Sequence, residues 1–350
     1  MDCELKIEEP PKELLRFIKM NTKFIIAGHK EPDGDCIGSQ LALRSALLRM
    51  GKEVIVCSAG PFKRTEIRDF TKLLTSAPKK EDCVGAKVII VDCSSKDRTG
   101  GVLDFLEPED KKSDSNKDGS SADHDEFPCA IIDHHTAVTN PLSTAHAPVY
   151  VDAKSPSCTL LIYNLIKALG LQLTSKEATL LFFGLCTDTG FFRHLTEKNA
   201  AVFEAAAAMV NSGANPKKIF NIINGGKSLN SRILTGRILS KTESHFEGKL
   251  LLSYETLDEY STYGFESRDS DSLNQLLLSI QGVEATVIIR QECAENCTVS
   301  LRSIDKINVA QIAFTFGGGG HKNAAGLSMK GDLSFVKQKI LDAFFNIFNS

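Results

Sequence analysis

The chain has 350 residues, 42% of them hydrophobic and 24% charged, with a formal net charge of -3 and a sequence pI of about 6.3. Its length allows two domains with sizeable cores. The missing basic surplus speaks against long nucleic acid gripped by its phosphates, and no uncharged stretch approaches membrane-spanning length.

Lys12 to Met20 has the spacing of a short opening helix, followed by a strand over 24–28 and a loop from His29 to Ser39. A helix then runs to about Met50, with Ile37, Leu41 and Leu48 on one face. Val54 to Cys57 and Val88 to Val91 read as strands, with a helical stretch over 62–78 between them. Residues 107–127 are polar and low in complexity, the signature of a disordered surface loop that would leave His124 solvated. Helical spacing returns over Ser157–Leu169, Ser175–Leu185 and 197–212. A break at Asn224-Gly-Gly-Lys opens a connector to about Ser244, with a short helix over Ile233–Leu239. Beyond it come a strand (249–253), a helix (271–280), paired strands (284–291 and 297–302) and a short helix from Val309. A final helix is striped by Leu333, Val336, Ile340, Phe344 and Ile347. The expected organisation is two α/β domains: residues 1–225, built on a parallel sheet and carrying the 107–127 insertion, and a smaller domain over 245–350. A linker over 226–244 joins them, with a cleft between.

Aspartates and histidines stand where four apolar runs end. They are His29-x3-Asp33-x-Asp35, Asp92, Asp133-His134-His135 and Asp188. Doubly apolar strands ending in polar residues suit a buried parallel sheet, which binds ligands at its carboxyl edge. Five aspartates gathered there would repel one another unless a cation compensated them. Carboxylates mixed with a few imidazoles suit Mn2+, Mg2+ or Fe2+ better than a thiolate zinc site. A single Asp after a strand is more often a helix cap, and that reading applies to Asp92 and Asp188 one at a time. It fails for the set, because capping does not call for two adjacent histidines.

These residues resemble the DHH phosphoesterase superfamily, whose triplet stands here as Asp133-His134-His135. The first motif is matched by His29 to Ser39, the second by Val91-Asp92 and the fourth by Asp188-Thr-Gly. Val299-Ser-Leu-Arg-Ser303 and Phe316-Gly-Gly-Gly-Gly-His-Lys-Asn-Ala-Ala-Gly326 are similar to the family's C-terminal substrate-binding domain, in the nanoRNase and pAp-phosphatase branch. The resemblance implies two divalent ions, Mn2+ preferred, with Mg2+, Co2+ or Fe2+ as alternatives. One would sit on His29, Asp33 and Asp92, the other on Asp35, Asp92, His134 and Asp188. The catalytic set would be Asp92, Asp133 and His135: Asp133 orients a ligand imidazole, while His135 protonates the leaving oxygen or binds a phosphate oxygen. Gly317, Gly318, Gly319 and Gly320 would turn backbone N–H groups toward an anion, completed by His321, Arg302 and Ser303. Arg98 is an even choice between substrate contact and surface salt bridge.

The expected activity is hydrolysis of short nucleotides: nanoRNA or pApA, pAp to AMP, or cyclic di-AMP. The alternatives are a family II-like inorganic pyrophosphatase, disfavoured by the Gly-Gly-Gly-Gly-His ending, and a non-catalytic nucleotide-binding relative. A RecJ-type exonuclease would call for a longer, more basic chain, and no Gly-x-Gly-x-x-Gly supports dinucleotide binding. Partners are expected to be nucleotides or short oligonucleotides without long nucleic acid or membrane, and a homodimer stays open. Ten cysteines, most inside apolar patterns, and an N-terminus without a secretory h-region point to a reducing cytoplasm. Cys36, Cys93 and Cys186 lie beside the expected ligands and read as packing against the sheet. Arg193 and His194, close behind the fourth motif, read as structural ahead of a substrate contact, His146 and His245 read as structural, and Cys293-x3-Cys297 lacks a second pair for zinc.

Overall fold

The computed structural model describes residues 8–104, 129–135, 148–304 and 306–348. The expected 107–127 insertion, His124 and His146 lie outside them. The chain divides into two compact units, residues 1–226 and 227–350.

The first unit holds α1 (Lys12–Met20), β1 (Lys23–Ala27), α2 (Gly34–Arg49), β2 (Glu53–Cys57), α3 (Lys80–Cys83), β3 (Lys87–Val91), β4 (Cys129–Asp133) and β5 (Val149–Val151). It closes with α4 (Cys158–Ala168), α5 (Ser175–Asp188), α6 (Ala200–Asn211) and α7 (Pro216–Asn224). Its five strands are all parallel, in the order β2-β1-β3-β4-β5. Alternate strand residues enter opposite layers. Phe24, Ile26, Ile89, Val91, Ala130 and Ile132 join the helices α1, α2, α4 and α5 on one face. Ile25, Ala27, Val88, Ile90 and Cys129 pack beneath the other, with Ala86, Val102 and Leu103. Burial on both faces is why these strands read as unbroken apolar runs. The strand order reverses direction between β1 and β3, and such a switch opens a crevice at the strands' carboxyl ends.

Helix α2 begins inside the segment expected to be a loop. Asp33 is its N-cap, its Oδ1 accepting from the backbone N of Asp35 and of Cys36 at 3.1 Å each. The glycines and polar residues of this first turn have poor helix propensity and concealed it. Ile37 and Leu41 are buried as expected, but Leu48 is 43% exposed. Residues Thr65–Leu73 form 3-10 turns rather than an α-helix.

Helices α2 and α5 are clamped by Glu177, which has no exposed surface. Its carboxylate accepts from Ser45 Oγ at 2.9 Å, Arg49 Nη1 at 2.6 Å and Thr174 N at 2.8 Å. Gly38 and Gly184 let the same helices touch, since a Cβ on Gly38 would lie 2.6 Å from the carbonyl oxygen of Leu180.

The second unit holds α8 (Leu229–Ser240), β6 (Glu243–His245), β7 (Leu250–Glu255), α9 (Leu257–Tyr263), α10 (Ser270–Leu278), β8 (Ala285–Cys293) and β9 (Asn296–Ser303). After these come α11 (Val309–Thr315), β10 (Gly319–His321), β11 (Ala324–Lys330) and α12 (Leu333–Phe348). Its mixed sheet runs β10-β11-β9-β8-β7-β6, with only β7 and β8 parallel. Val309, Ile312, Val336, Ile340 and Phe344 cover one face, and Leu234, Ile238, Leu273 and Leu277 the other. Much of the segment expected to be a linker is therefore α8, built into this unit by Leu234 and Ile238.

Glu177→Ala removes three hydrogen bonds from a buried carboxylate's place and leaves Arg49 only its bond to the carbonyl of Gln172. It should lower unfolding stability by roughly 2–4 kcal/mol, read as a fall in midpoint in denaturant with unchanged m-value.

Candidate metal centre

The acidic and imidazole residues expected at the strand ends meet at one place. His29 follows β1, Asp92 follows β3, and His134 and His135 follow Asp133 at the end of β4. Asp35 comes from the first turn of α2 and Asp188 from the last turn of α5. Asp92 is central. Its Oδ2 lies 3.3 Å from His29 Nε2, while its Oδ1 lies 3.3 Å from His134 Nε2. It is 1% exposed and adopts a left-handed backbone, φ 61°, which is strained for a residue with a side chain.

The two imidazoles are aimed by their outer nitrogens. His29 Nδ1 lies 2.8 Å from the carbonyl oxygen of Lys30, and His134 Nδ1 lies 3.2 Å from that of Ser155. A carbonyl only accepts, so each Nδ1 carries the proton and each Nε2 can present its lone pair inward. Around His134 Nε2 stand Asp188 Oδ2 at 3.2 Å and Asp35 Oδ2 at 3.7 Å. Asp35 has no exposed surface and is fixed by Cys158 N at 2.5 Å and by Thr159 N and Oγ1 at 2.9 and 2.6 Å. Two of those donors open α4, so the carboxylate sits at the positive end of that helix. Ser155, Cys158 and Thr159 gave no sign in the sequence of a part in the site. Only the packing of α4 against α2 recruits them.

Asp133 orients His135 rather than His134. Its Oδ1 accepts from His135 N at 3.1 Å and lies 2.7 Å from His135 Nδ1, while Ser94 Oγ donates to its Oδ2 at 2.5 Å. Asp33, besides capping α2, lies 3.9 Å from His29 Nε2. Three groups of three donor atoms each lie within 4.8 Å of one another among the described residues: His29, Cys36 and Asp92; Asp35, His134 and Asp188; and Asp92, His134 and His135. Cys36 therefore stands closer to this end of the site than sequence reasoning placed it. Cys93 and Cys186 sit in the apolar layers as expected.

The electrostatics call for cations. Burial pushes Asp35 well above its ordinary carboxyl range, and Asp188 and Asp92 push it further. Burial, followed by Asp33 and Asp92, raises Asp188 to about 6, although His134 opposes them. Burial alone would lower His134, but contacts with Asp188 and Asp92 outweigh it and hold the ring at about 11. Asp92 Oδ1 and His134 Nε2 are buried without a hydrogen-bond partner among the described residues. Such orphaned atoms cost about 1–3 kcal/mol each. Divalent ions between these groups would replace both the missing partners and the retained protons, so the donor set fits them.

In the second unit, Arg302 on β9 pairs with Ala324 on β11, which pairs with His321 on β10. Directly paired residues share a sheet face, which places Arg302 and His321 in one row about 10 Å across. The glycine run is occupied structurally. Gly317 N donates to the carbonyl of Phe314 and Gly318 N to that of Ala313, ending α11. A Cβ on Gly320 would lie 2.4 Å from the carbonyl oxygen of Ala324, so glycine is what lets β10 approach β11. Two of the four amides expected to face an anion are thus spent on the helix end, and Gly319 pairs with Gly326. Ser303 is buried and its hydroxyl donates to the carbonyl of Ile307, so it presents nothing outward. Arg98 is half-buried, and its carbonyl accepts from Lys30 N. Arg193 and His194 lean on each other at 3.4 Å, and His245 lies 3.4 Å from Glu243.

Two family descriptions match this chain: the DHH family N-terminal domain over residues 23–185, and the DHHA1 domain over 252–350. The bifunctional oligoribonuclease and PAP phosphatase NrnA of Thermus thermophilus is 30% identical over 324 residues, covering 91% of this chain and 88% of that protein. The chain belongs to the DHH family. The NrnA of Bacillus subtilis is 26% identical over 91% of this chain and 92% of that protein. Among solved structures, an exopolyphosphatase-related protein of Bacteroides fragilis shares the fold with a TM-score of 0.80 at 21% identity, over 96% of this chain and 95% of that one. No helix among the described residues is long and apolar enough to cross a membrane.

The raised groups set a pH dependence. Ionising Asp188 costs the metal-free protein stability as pH climbs from the ordinary 3.8 through about 6. The stabilisation from protonated His134 is complete below 6.5 and drains away as pH rises towards about 11. Both make the empty cluster prefer protons, which cations must displace. Added Mn2+ should therefore raise the melting temperature more at pH 8 than at pH 5.5 in differential scanning calorimetry. An increment independent of pH would contradict this linkage.

Proposed function

We propose that this member of the DHH family hydrolyses phosphoester bonds in short nucleotides, using two divalent ions, preferably Mn2+, that share Asp92. The observation that carries the proposal is the division of the Asp92 carboxylate, one oxygen facing His29 and the other facing His134, each at 3.3 Å. His29 with Asp33 would hold one ion, and Asp35, His134 and Asp188 the other. Bound there, the ions supply Lewis acidity and water of lowered pKa to the reaction.

The protein's own groups carry the remaining work. Asp133 holds His135 through Nδ1 and leaves Nε2, on a ring about one-third exposed, to deliver a proton to the leaving oxygen. Ser94 keeps Asp133 in place, so the dyad is rigid before substrate arrives. Arg302 supplies a planar fork to the substrate's terminal phosphate, with His321 beside it in the same row. A grip on one end of the substrate suits pAp, pApA, cyclic di-AMP and short RNA, and it agrees with the absent basic surplus. We infer a reducing, cytoplasmic setting from the nine described cysteines, all free thiols.

Asp92→Asn should cut turnover by roughly a hundredfold or more while the fold is kept. Activity within a few-fold of wild type on all four substrates, pAp, pApA, cyclic di-AMP and a five-residue RNA, would refute the shared-ligand role. Arg302→Ala and His321→Ala should raise KM by roughly 10- to 100-fold with metal content unchanged. Loss of metal in either variant, measured by elemental analysis, would show that the phosphate row is misassigned.

A further inference from the structure

Strand β9 carries two serines beside Arg302, and strand alternation gives them opposite fates. Ser303 faces the core, whereas Ser300, two residues before Arg302, shares its face of the sheet. Across β11, Ser300 stands opposite Gly326 and Arg302 opposite Ala324, so a bare backbone and a methyl group flank them there. On its other side Ser300 pairs with Ile288 of β8, which packs with residues of α8 and α10. The serine thus marks where the covered half of this face gives way to the half where Gly326 and His321 are exposed. Its hydroxyl oxygen receives two donors: Asn274 Nδ2 and Arg302 Nη1 each lie 3.4 Å from it. Asn274 is 2% exposed and its orientation is fixed. Its Nδ2 donates to the carbonyl of Ser270 at 2.9 Å, and its Oδ1 accepts from Thr286 Oγ1 at 2.9 Å. A guanidinium cannot accept, and the edge that Asn274 turns to Ser300 is its N–H edge. Both lone pairs of the serine oxygen are therefore taken by groups that only donate. The serine's own proton is left over, and no acceptor faces it among the described residues.

We propose that Ser300 is a further substrate-binding residue, donating its hydroxyl proton to the terminal phosphate that Arg302 grips, and that Asn274 is the positioning residue that aims it. The proposal rests on the phosphate row put forward above and adds a donor to it. An ionised phosphate oxygen only accepts, so it matches an unspent O–H as it matches a guanidinium. Thr286 extends the hold on the serine. It pairs with Arg302 across β8 and β9, has no exposed surface and fixes the carbonyl oxygen of Asn274. The chain from Thr286 through Asn274 and Ser300 to Arg302 is set before substrate arrives, which lowers the ordering cost of binding.

The test is steady-state turnover of pApA and of ApA, which lacks the terminal phosphate, by the full-length enzyme supplied with Mn2+. Wild type is expected to favour pApA, chiefly through a lower KM. Ser300→Ala should raise KM for pApA by roughly tenfold with kcat within a few-fold, and should leave ApA unaffected. Asn274→Ala should shrink the pApA preference in the same direction by a smaller factor, whereas a loosened fold alone would weaken both substrates alike. Ser303→Ala, which removes the bond to the Ile307 carbonyl, should keep the wild-type preference. A preference kept in Ser300→Ala but lost in Arg302→Ala would overturn the serine's role and leave the phosphate row standing. Equal losses on both substrates in Ser300→Ala would do the same, and in Asn274→Ala they would overturn its positioning role. A wild type without the preference, or a preference that survives Arg302→Ala, would overturn the phosphate row and the serine with it.

Discussion

Like charge brought together out of water is the constraint on which the first unit turns. Asp33, Asp35, Asp92 and Asp188 converge on two imidazoles at the carboxyl edge of a sheet whose faces are both sealed. Ionised carboxylates at these distances repel strongly in a medium of low polarisability. The alternatives are protons held against their ordinary affinity, as on Asp35 and Asp188, or cations. A fold selected for stability alone would not retain the arrangement. The left-handed backbone at Asp92 is a second cost at the same residue, and it is what turns one carboxylate between two rings.

The helices around the site divide that cost unequally. Asp33 caps α2, and Asp35 receives the opening N–H groups of α4, so both lie at positive helix ends. Asp188 lies in the last turn of α5, where the helix dipole adds to the repulsion rather than relieving it. Glu177, at the other end of α5, clamps this helix to α2 through Arg49 and Ser45. The clamp opposes the separation that would relieve the repulsion between Asp35 and Asp188. Packing remote from the chemistry thereby sets its spacing.

The two domains and the four acidic clusters were legible because a short apolar run with an abrupt polar end is what a strand sealed on both faces produces where it meets solvent. What stayed hidden has three physical causes. Strands of three residues, such as β5, β6 and β10, are too short to show a period. The start of α2 is masked because its first turn serves capping and ligation instead of propensity, so Gly34, Asp35 and Cys36 look like loop. The buttressing of Asp35 by Cys158 and Thr159 spans 123 and 124 positions in sequence, and no local pattern encodes such a contact. Arg302 and His321 were named together from the sequence, but that they share one row across β9, β11 and β10, with Ala324 between them, follows only from strand register.

The cysteines show why residue type alone misleads at such a site. A buried thiol in an apolar stretch is by default a small hydrophobe, and Cys93, Cys158 and Cys186 obey that rule inside the packed layers. Cys36 is equally buried and equally close to the motifs, yet its neighbours are an imidazole, a carboxylate and a bare glycine. The absence of a side chain on Gly28 leaves the space this sulfur fills, since a Cβ there would lie 2.2 Å from it.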